Sequence, residues 1–178
     1  MLYLLATVVL ATTLFCELAA RREWLPYWVS RKVLHVVAIG ACAVAATKID
    51  RRLLLGIVAV AEVLLLGLVA SGRLLRDESG RPAWGIIWFP LAFMILLVGP
   101  GDVQLVSFSM WTLALCDPAA TIVGKLYGKD VYALTGDQKS LQGNLAFLAC
   151  VVVLGMVHPY STGLSFTVVA GVGLLLAA

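Results

Sequence analysis

Asp117 heads the segment Asp117-Pro-Ala-Ala-Thr-Ile-Val-Gly-Lys-Leu-Tyr-Gly-Lys129. If the helix continues past Pro118, then Asp117, Ala120, Thr121, Gly124 and Gly128 share one face that carries almost no side-chain bulk. A carboxylate there can hold Mg²⁺, and the glycines let a phosphate chain approach the backbone, with Lys125 and Lys129 alongside. The same strip also reads as a small-xxx-small contact between helices. Farther on, Lys139-Ser140-Leu-Gln142-Gly143-Asn144 precedes an apolar run. The free amides at the start of a helix make a seat for an anion, and Lys139 adds a point charge. This is not a Walker A loop, because no GxxxxGK[ST] pattern is present. Its plainer reading is a polar N-cap.

Arg31 and His35 are four residues apart on one helical face, with Lys32 beside them. A guanidinium and an imidazole at the mouth of a membrane bundle suit contacts with phosphate oxygens. Simple anchoring at a basic interface explains Arg31 and Lys32 but not His35. Two more acids lie inside apolar stretches, Glu17 and Glu62. Glu17 also reads as the i,i+4 partner of Arg21, and Glu62 as a hydrogen-bonding group toward a neighbouring helix.

The scaffold for these groups is apolar. Of 178 residues, 62% are hydrophobic and 13% charged, and the mean hydropathy is +1.00. A soluble domain carries about 25% charged residues, so a solvated surface is excluded. The net charge of +3 is too small and scattered for a nucleic-acid binder. Cys16, Cys42, Cys116 and Cys150 all sit in apolar runs without CxxC spacing, which excludes a disulfide framework.

The expected fold is therefore all-α: a polytopic transmembrane helical bundle forming one integral membrane domain over 1–178. A span needs roughly 20 apolar residues. Candidate spans are Met1–Ala20, Val33–Ala46, Leu53–Ala70, Trp84–Val98, Val103–Val123, Asn144–Val157 and Leu164–Ala178, about seven in all. No basic n-region marks a cleaved signal peptide. The last run ends at Ala178 without a closing loop, which reads equally as a terminal helix or a truncated sequence.

Lysines and arginines set the expected orientation. The odd-numbered loops hold ten of them (Arg21, Arg22, Arg31, Lys32, Arg73, Arg76, Arg81, Lys125, Lys129, Lys139), and the even loops hold only Lys48, Arg51 and Arg52. The odd loops are thus expected in the cytoplasm and the N-terminus outside. Trp24, Tyr27, Trp28, Trp84 and Tyr127 fall at span edges, where aromatic residues anchor. On this layout Asp117 lies about 9 Å below the cytoplasmic face, with Glu17 and His35 near the same level and Glu62 closer to the midplane.

Taken in order, Arg31-Lys-Val-Leu-His35, Asp117-Pro-Ala-Ala-Thr-Ile-Val-Gly-Lys-Leu-Tyr-Gly128 and Lys139-Ser-Leu-Gln-Gly143 resemble the motifs of the polyprenol kinase family. That family includes dolichol and phytol kinases, with motifs of the form RKxxH, DxxAxxxGxxxG and K[ST]xEG. The resemblance covers most of the chain from Glu17 to Phe147. It implies phosphoryl transfer from CTP to the hydroxyl of a long isoprenoid alcohol, at a site facing the cytoplasm.

Carried over to this sequence, it implies that Asp117 matches the family's aspartate, Gly124 and Gly128 its glycines, and Lys139 and Gly143 its nucleotide-binding segment; for the mechanism, Asp117 is expected to be catalytic and to hold Mg²⁺. Arg31, Lys32, Gly124, Lys125, Gly128, Lys139, Ser140, Gln142 and Gly143 would bind the nucleotide. Lys139 would also serve catalysis, and His35, with Glu17 as second choice, would be the base. Two positions depart from the pattern: Gln142 stands where glutamate is usual, and Asn144 where serine or threonine is usual. The family's C-terminal Asp-Asn motif is also not found before Ala178.

Two other readings remain open on the sequence. One is a CTP-dependent phosphatidate cytidylyltransferase, with the same donor but attack at the α-phosphorus. The other is a small transporter or membrane scaffold, which predicts acids distributed through the whole bilayer rather than gathered near one face.

Overall fold

A computed structural model of the chain describes residues 1–71, 85–134 and 137–158. Among them are six helices, α1 (Leu2–Arg21), α2 (Tyr27–Lys48), α3 (Arg51–Ala70), α4 (Gly85–Val98), α5 (Val103–Tyr127) and α6 (Leu141–Val157). A two-stranded antiparallel hairpin, β1 (Val131–Leu134) and β2 (Asp137–Ser140), lies between α5 and α6. The purely helical expectation is therefore corrected at the hairpin. Its signal was present in the sequence: a short β-branched and aromatic run, Val131-Tyr-Ala-Leu134, followed by Thr135-Gly136. The expected spans are apolar over much greater lengths, and beside them a four-residue run carries too little periodicity to mark a strand.

Helix ends explain most shifts in boundary. Pro26 has no backbone N–H to leave unsatisfied and stands at the start of α2, so the helix begins at Tyr27 rather than Val33. This brings Arg31 and Lys32 into the same helix as His35. The Asp50 side chain accepts from the backbone N–H groups of Arg52 and Leu53 at 3.0 and 3.1 Å and starts α3. Ser140 Oγ accepts from Gly143 N at 3.2 Å and starts α6 in the same way. Pro118 is accommodated within α5, which continues to Tyr127.

Two of the helical segments, Trp28–Lys48 and Val103–Tyr127, are long and apolar enough to cross a membrane, and Leu2–Cys16, Ile87–Val98 and Leu141–Val157 are shorter apolar helices. About seven spans were expected; the seventh candidate, Leu164–Ala178, and the loop carrying Arg73, Arg76, Arg81 and Trp84 lie outside the described residues. Large apolar side chains such as Leu4, Leu10, Leu14, Val63, Ile95 and Val153 remain exposed on the helix faces. A soluble monomer rarely leaves so much apolar surface uncovered, whereas hydrocarbon would cover it.

α5 is the organising element. It packs extensively against α6 and α2, while α1 packs on α2 and α3 on α4. One buried cluster joins Ile39 and Ala43 of α2, Phe93 and Leu97 of α4, and Val106, Met110 and Ala114 of α5. A second joins Phe108 and Cys116 of α5 to Phe147 and Val151 of α6. Gly40 admits the ring of Trp111, since a Cβ there would come 3.2 Å from Cζ3. α2 and α5 thereby lie close and antiparallel, which brings the start of α2 to the end of α5.

Candidate active site

Asp117 sits on α5 beside the first turns of α2. Its Oδ2 accepts from Lys32 Nζ at 2.6 Å, and His35 Nε2 lies 3.4 Å from the same oxygen. All three side chains are about a quarter to two-fifths exposed, so the pair is screened rather than sealed. His35 Nε2 also lies 3.1 Å from the Leu113 carbonyl oxygen. A carbonyl can only accept, so Nε2 carries the proton and a neutral His35 presents Nδ1 as its lone-pair nitrogen. Leu113 belongs to the α5 turn next to Pro118, whose ring lacks an N–H and crowds the preceding turn.

The opposite side of Asp117 faces a cavity of about 570 Å³ between α5, the hairpin and α6. Its lining includes Asp117, Thr121, Lys125, Lys139, Ser140 and Asn144. The aspartate strip and the lysine turn, 22 residues apart in sequence, thus meet at one site. Lys125 Nζ stands 4.5 Å from the centre of the Trp28 ring, a cation–π contact that ties the end of α5 to the start of α2. Lys139 lines the cavity and has no ion-pair partner among the described residues.

The small residues close α5 against α6. A Cβ on Gly143 would come 2.9 Å from the Ala120 carbonyl oxygen and 3.2 Å from Ser140 Oγ. One on Gly128 would overlap the Gly124 carbonyl oxygen and come 2.9 Å from Ser140 Oγ. Gly128 is the C-cap of α5, not a member of its helical face. Gly124 and Gly143 border the cavity as well, so the strip serves both packing and backbone access. Thr121 directs its hydroxyl to the Asp117 carbonyl at 2.9 Å.

Other expected site residues fall elsewhere. Arg31 is exposed on α2, and neither it, Lys32 nor His35 is part of the cavity wall. Lys32 was expected at the nucleotide; here its ammonium meets Asp117 instead, a pairing across 85 residues that sequence spacing cannot reveal. Gln142 is directed away from the cavity, toward Lys129 and Asp130. Glu17 lies on α1, but its side chain is outside the described residues. Glu62 is buried on α3 at 7% exposure, apart from this cluster, and its Oε2 has no hydrogen-bond partner among the described residues.

Tyr132 was missed by sequence reasoning: its hydroxyl accepts from Asn144 Nδ2 and links the hairpin to α6. Among the described residues the cavity has lysines and one carboxylate on its wall, and it opens between apolar helices. Such a site suits a phosphate-bearing ligand held beside an apolar partner.

A protein of Synechocystis sp. named phytol kinase is 30% identical to the chain over 175 residues, covering 93% of this chain and 73% of that protein. The chain belongs to the phytol kinase family. No family model matches it, and no solved structure does.

Proposed function

We propose that the protein is a membrane-embedded isoprenoid-alcohol kinase that transfers a phosphoryl group from CTP to the alcohol's hydroxyl on the cytoplasmic side. The observation that carries this is the position of Asp117, between the cavity bearing Lys139 and the α2 face bearing His35. The relative's name supports a kinase acting on an isoprenoid alcohol. The choice of CTP and the range of alcohols, from phytol to dolichol-like chains, rest on the motif resemblance.

Among the described residues no group of three His, Cys, Asp or Glu side chains could hold a metal ion alone. Mg²⁺ commonly binds through one or two carboxylates and the substrate's own phosphates, and Asp117 Oδ1, which has no partner among the described residues, fits that mode. When bound, Mg²⁺ would neutralise charge on the donor phosphates.

The chain's own residues do the rest in this reading. Lys139 and Lys125 offset phosphate charge, and the backbone near Gly124 and Gly143 lets the phosphates come close. In this reading the alcohol approaches from the α2 side of Asp117, outside the cavity wall; its oxygen bonds to the γ-phosphorus, its proton passes to His35 Nδ1, and CDP leaves with the bridging oxygen. Lys32 holds Asp117 in place. The isoprenoid tail lies against the apolar helix faces.

Membranes containing the protein, given phytol and CTP labelled in the γ-phosphate, should yield labelled phytyl phosphate and CDP. Release of pyrophosphate with formation of a CDP-lipid from phosphatidate would instead establish the cytidylyltransferase reading. An equal yield with ATP would remove the preference for CTP.

A further inference from the structure

Gln142 occupies the second position of α6, yet its amide reaches across to the link between α5 and β1. Its Oε1 accepts from the backbone N–H groups of Lys129 at 3.1 Å and Asp130 at 3.3 Å, while its Nε2 donates to Asp130 Oδ2 at 2.7 Å. The Asp130 carbonyl in turn accepts from Leu141 N at 3.1 Å. Two residues farther along each segment, Asn144 donates to the Tyr132 hydroxyl. The start of the hairpin is therefore pinned to the first turn of α6 at positions 130 and 132.

These contacts set the position of Lys139. In the strand register Tyr132 faces Lys139 and Val131 faces Ser140, and Val131, Lys139 and Ser140 all line the cavity. A displacement of Asp130 and Tyr132 would carry Lys139 with it, relative to Asp117 on α5.

The clamp has a polarity requirement. Its side chain at 142 must accept from two amides and donate to a carboxylate, which an amide does and an ionised carboxylate cannot. Glutamate at 142 would keep the two backbone bonds but set its second oxygen against the Asp130 carboxylate, with like charges in contact.

We propose that Gln142 is a positioning residue for the wall of the cavity, where the kinase reading places the phosphoryl donor. With Asp130 it forms a polarity-matched clamp that places the hairpin, and through it Lys139, at the cavity. The identity of the donor rests on the kinase reading; the clamp does not.

The test uses the full chain in lipid, as Q142E, D130N and the swapped pair Q142E/D130N, which keeps the net charge and reverses the clamp's polarity. Nucleotide KM and kcat are measured with CTP and Mg²⁺, and hydrogen exchange is followed at the Lys129 and Asp130 amides. Q142E should raise KM about tenfold while kcat changes less than about threefold, and should speed exchange at both amides. The swapped pair should return KM to within about threefold of the original and restore slow exchange, with D130N alone close to the original protein.

An unchanged KM in Q142E, or a swapped pair no better than Q142E, overturns the proposal; the latter is the result expected if Gln142 touched the nucleotide directly. A chain that turns over no nucleotide in any form, yet shows the exchange pattern and its rescue, supports the clamp and overturns the kinase reading alone.

Discussion

The two ends of the bundle use their cations in opposite ways. At the turn between α4 and α5, Arg51 directs its guanidinium to the carbonyls of Leu97, Gly99 and Gly101. Those carbonyls sit at and just beyond the end of α4, where no helical N–H remains to meet them. At the other end, Lys32 meets a carboxylate, Lys125 an aromatic face, and Lys139 the cavity. A guanidinium whose three nitrogens each donate to a backbone carbonyl is part of the fold. A lysine on a cavity wall beside a single carboxylate is available to a ligand. Basic residues at span ends look alike in a charge count, and only their partners tell the two kinds apart.

The largest effect that would test this contrast comes from Asp117→Asn. Turnover should fall at least about a thousandfold, roughly 4 kcal/mol of lost transition-state stabilisation. Stability should change by less than about 1 kcal/mol, because the Lys32 pair is partly exposed. Near-normal turnover of labelled nucleotide by this variant would remove Asp117 from the site.

A matched pair of truncations sharpens the comparison next. Lys139→Ala should weaken nucleotide binding by about 1.5–3 kcal/mol, roughly the worth of a hydrogen bond to a charged group, and leave the melting temperature unchanged. Arg51→Ala should do the reverse, destabilising the protein by about 1–3 kcal/mol through unmet carbonyls while nucleotide KM stays put. If both variants moved the same quantity, the division between the two ends would fail. The smallest effect is expected from Trp28→Ala, which removes a cation–π contact worth about 0.5–1 kcal/mol and should raise nucleotide KM less than fivefold.

Much of the site was legible because its chemistry is written in local strings. The run from Asp117 to Gly128 falls on α5 as helical spacing requires, up to the C-cap at Gly128. The Lys139–Gly143 stretch does cap α6, with Ser140 as the capping side chain. The glycines illustrate how two readings of a motif can both apply. Gly143 makes room for Ala120 and Ser140, as a helix contact would require, and still borders the cavity. The hairpin was harder to see. Four residues of strand carry little periodicity of their own, and they gain definition from pairing with β2 and docking on α6 through Gln142 and Asn144.

Composition and hydrophobic run length alone dictated an apolar helical protein, since a chain with so few charges cannot solvate its surface, and helical spacing alone placed Arg31 with His35. What neither could assign was partnership. That Lys32 meets Asp117, that Gln142 faces Asp130 rather than the cavity, and that Arg51 closes the end of α4 all follow from how helices distant in sequence pack. Hydrogen bonds and ion pairs depend on separations of a few ångströms in space, and the chain brings those atoms together only when it folds.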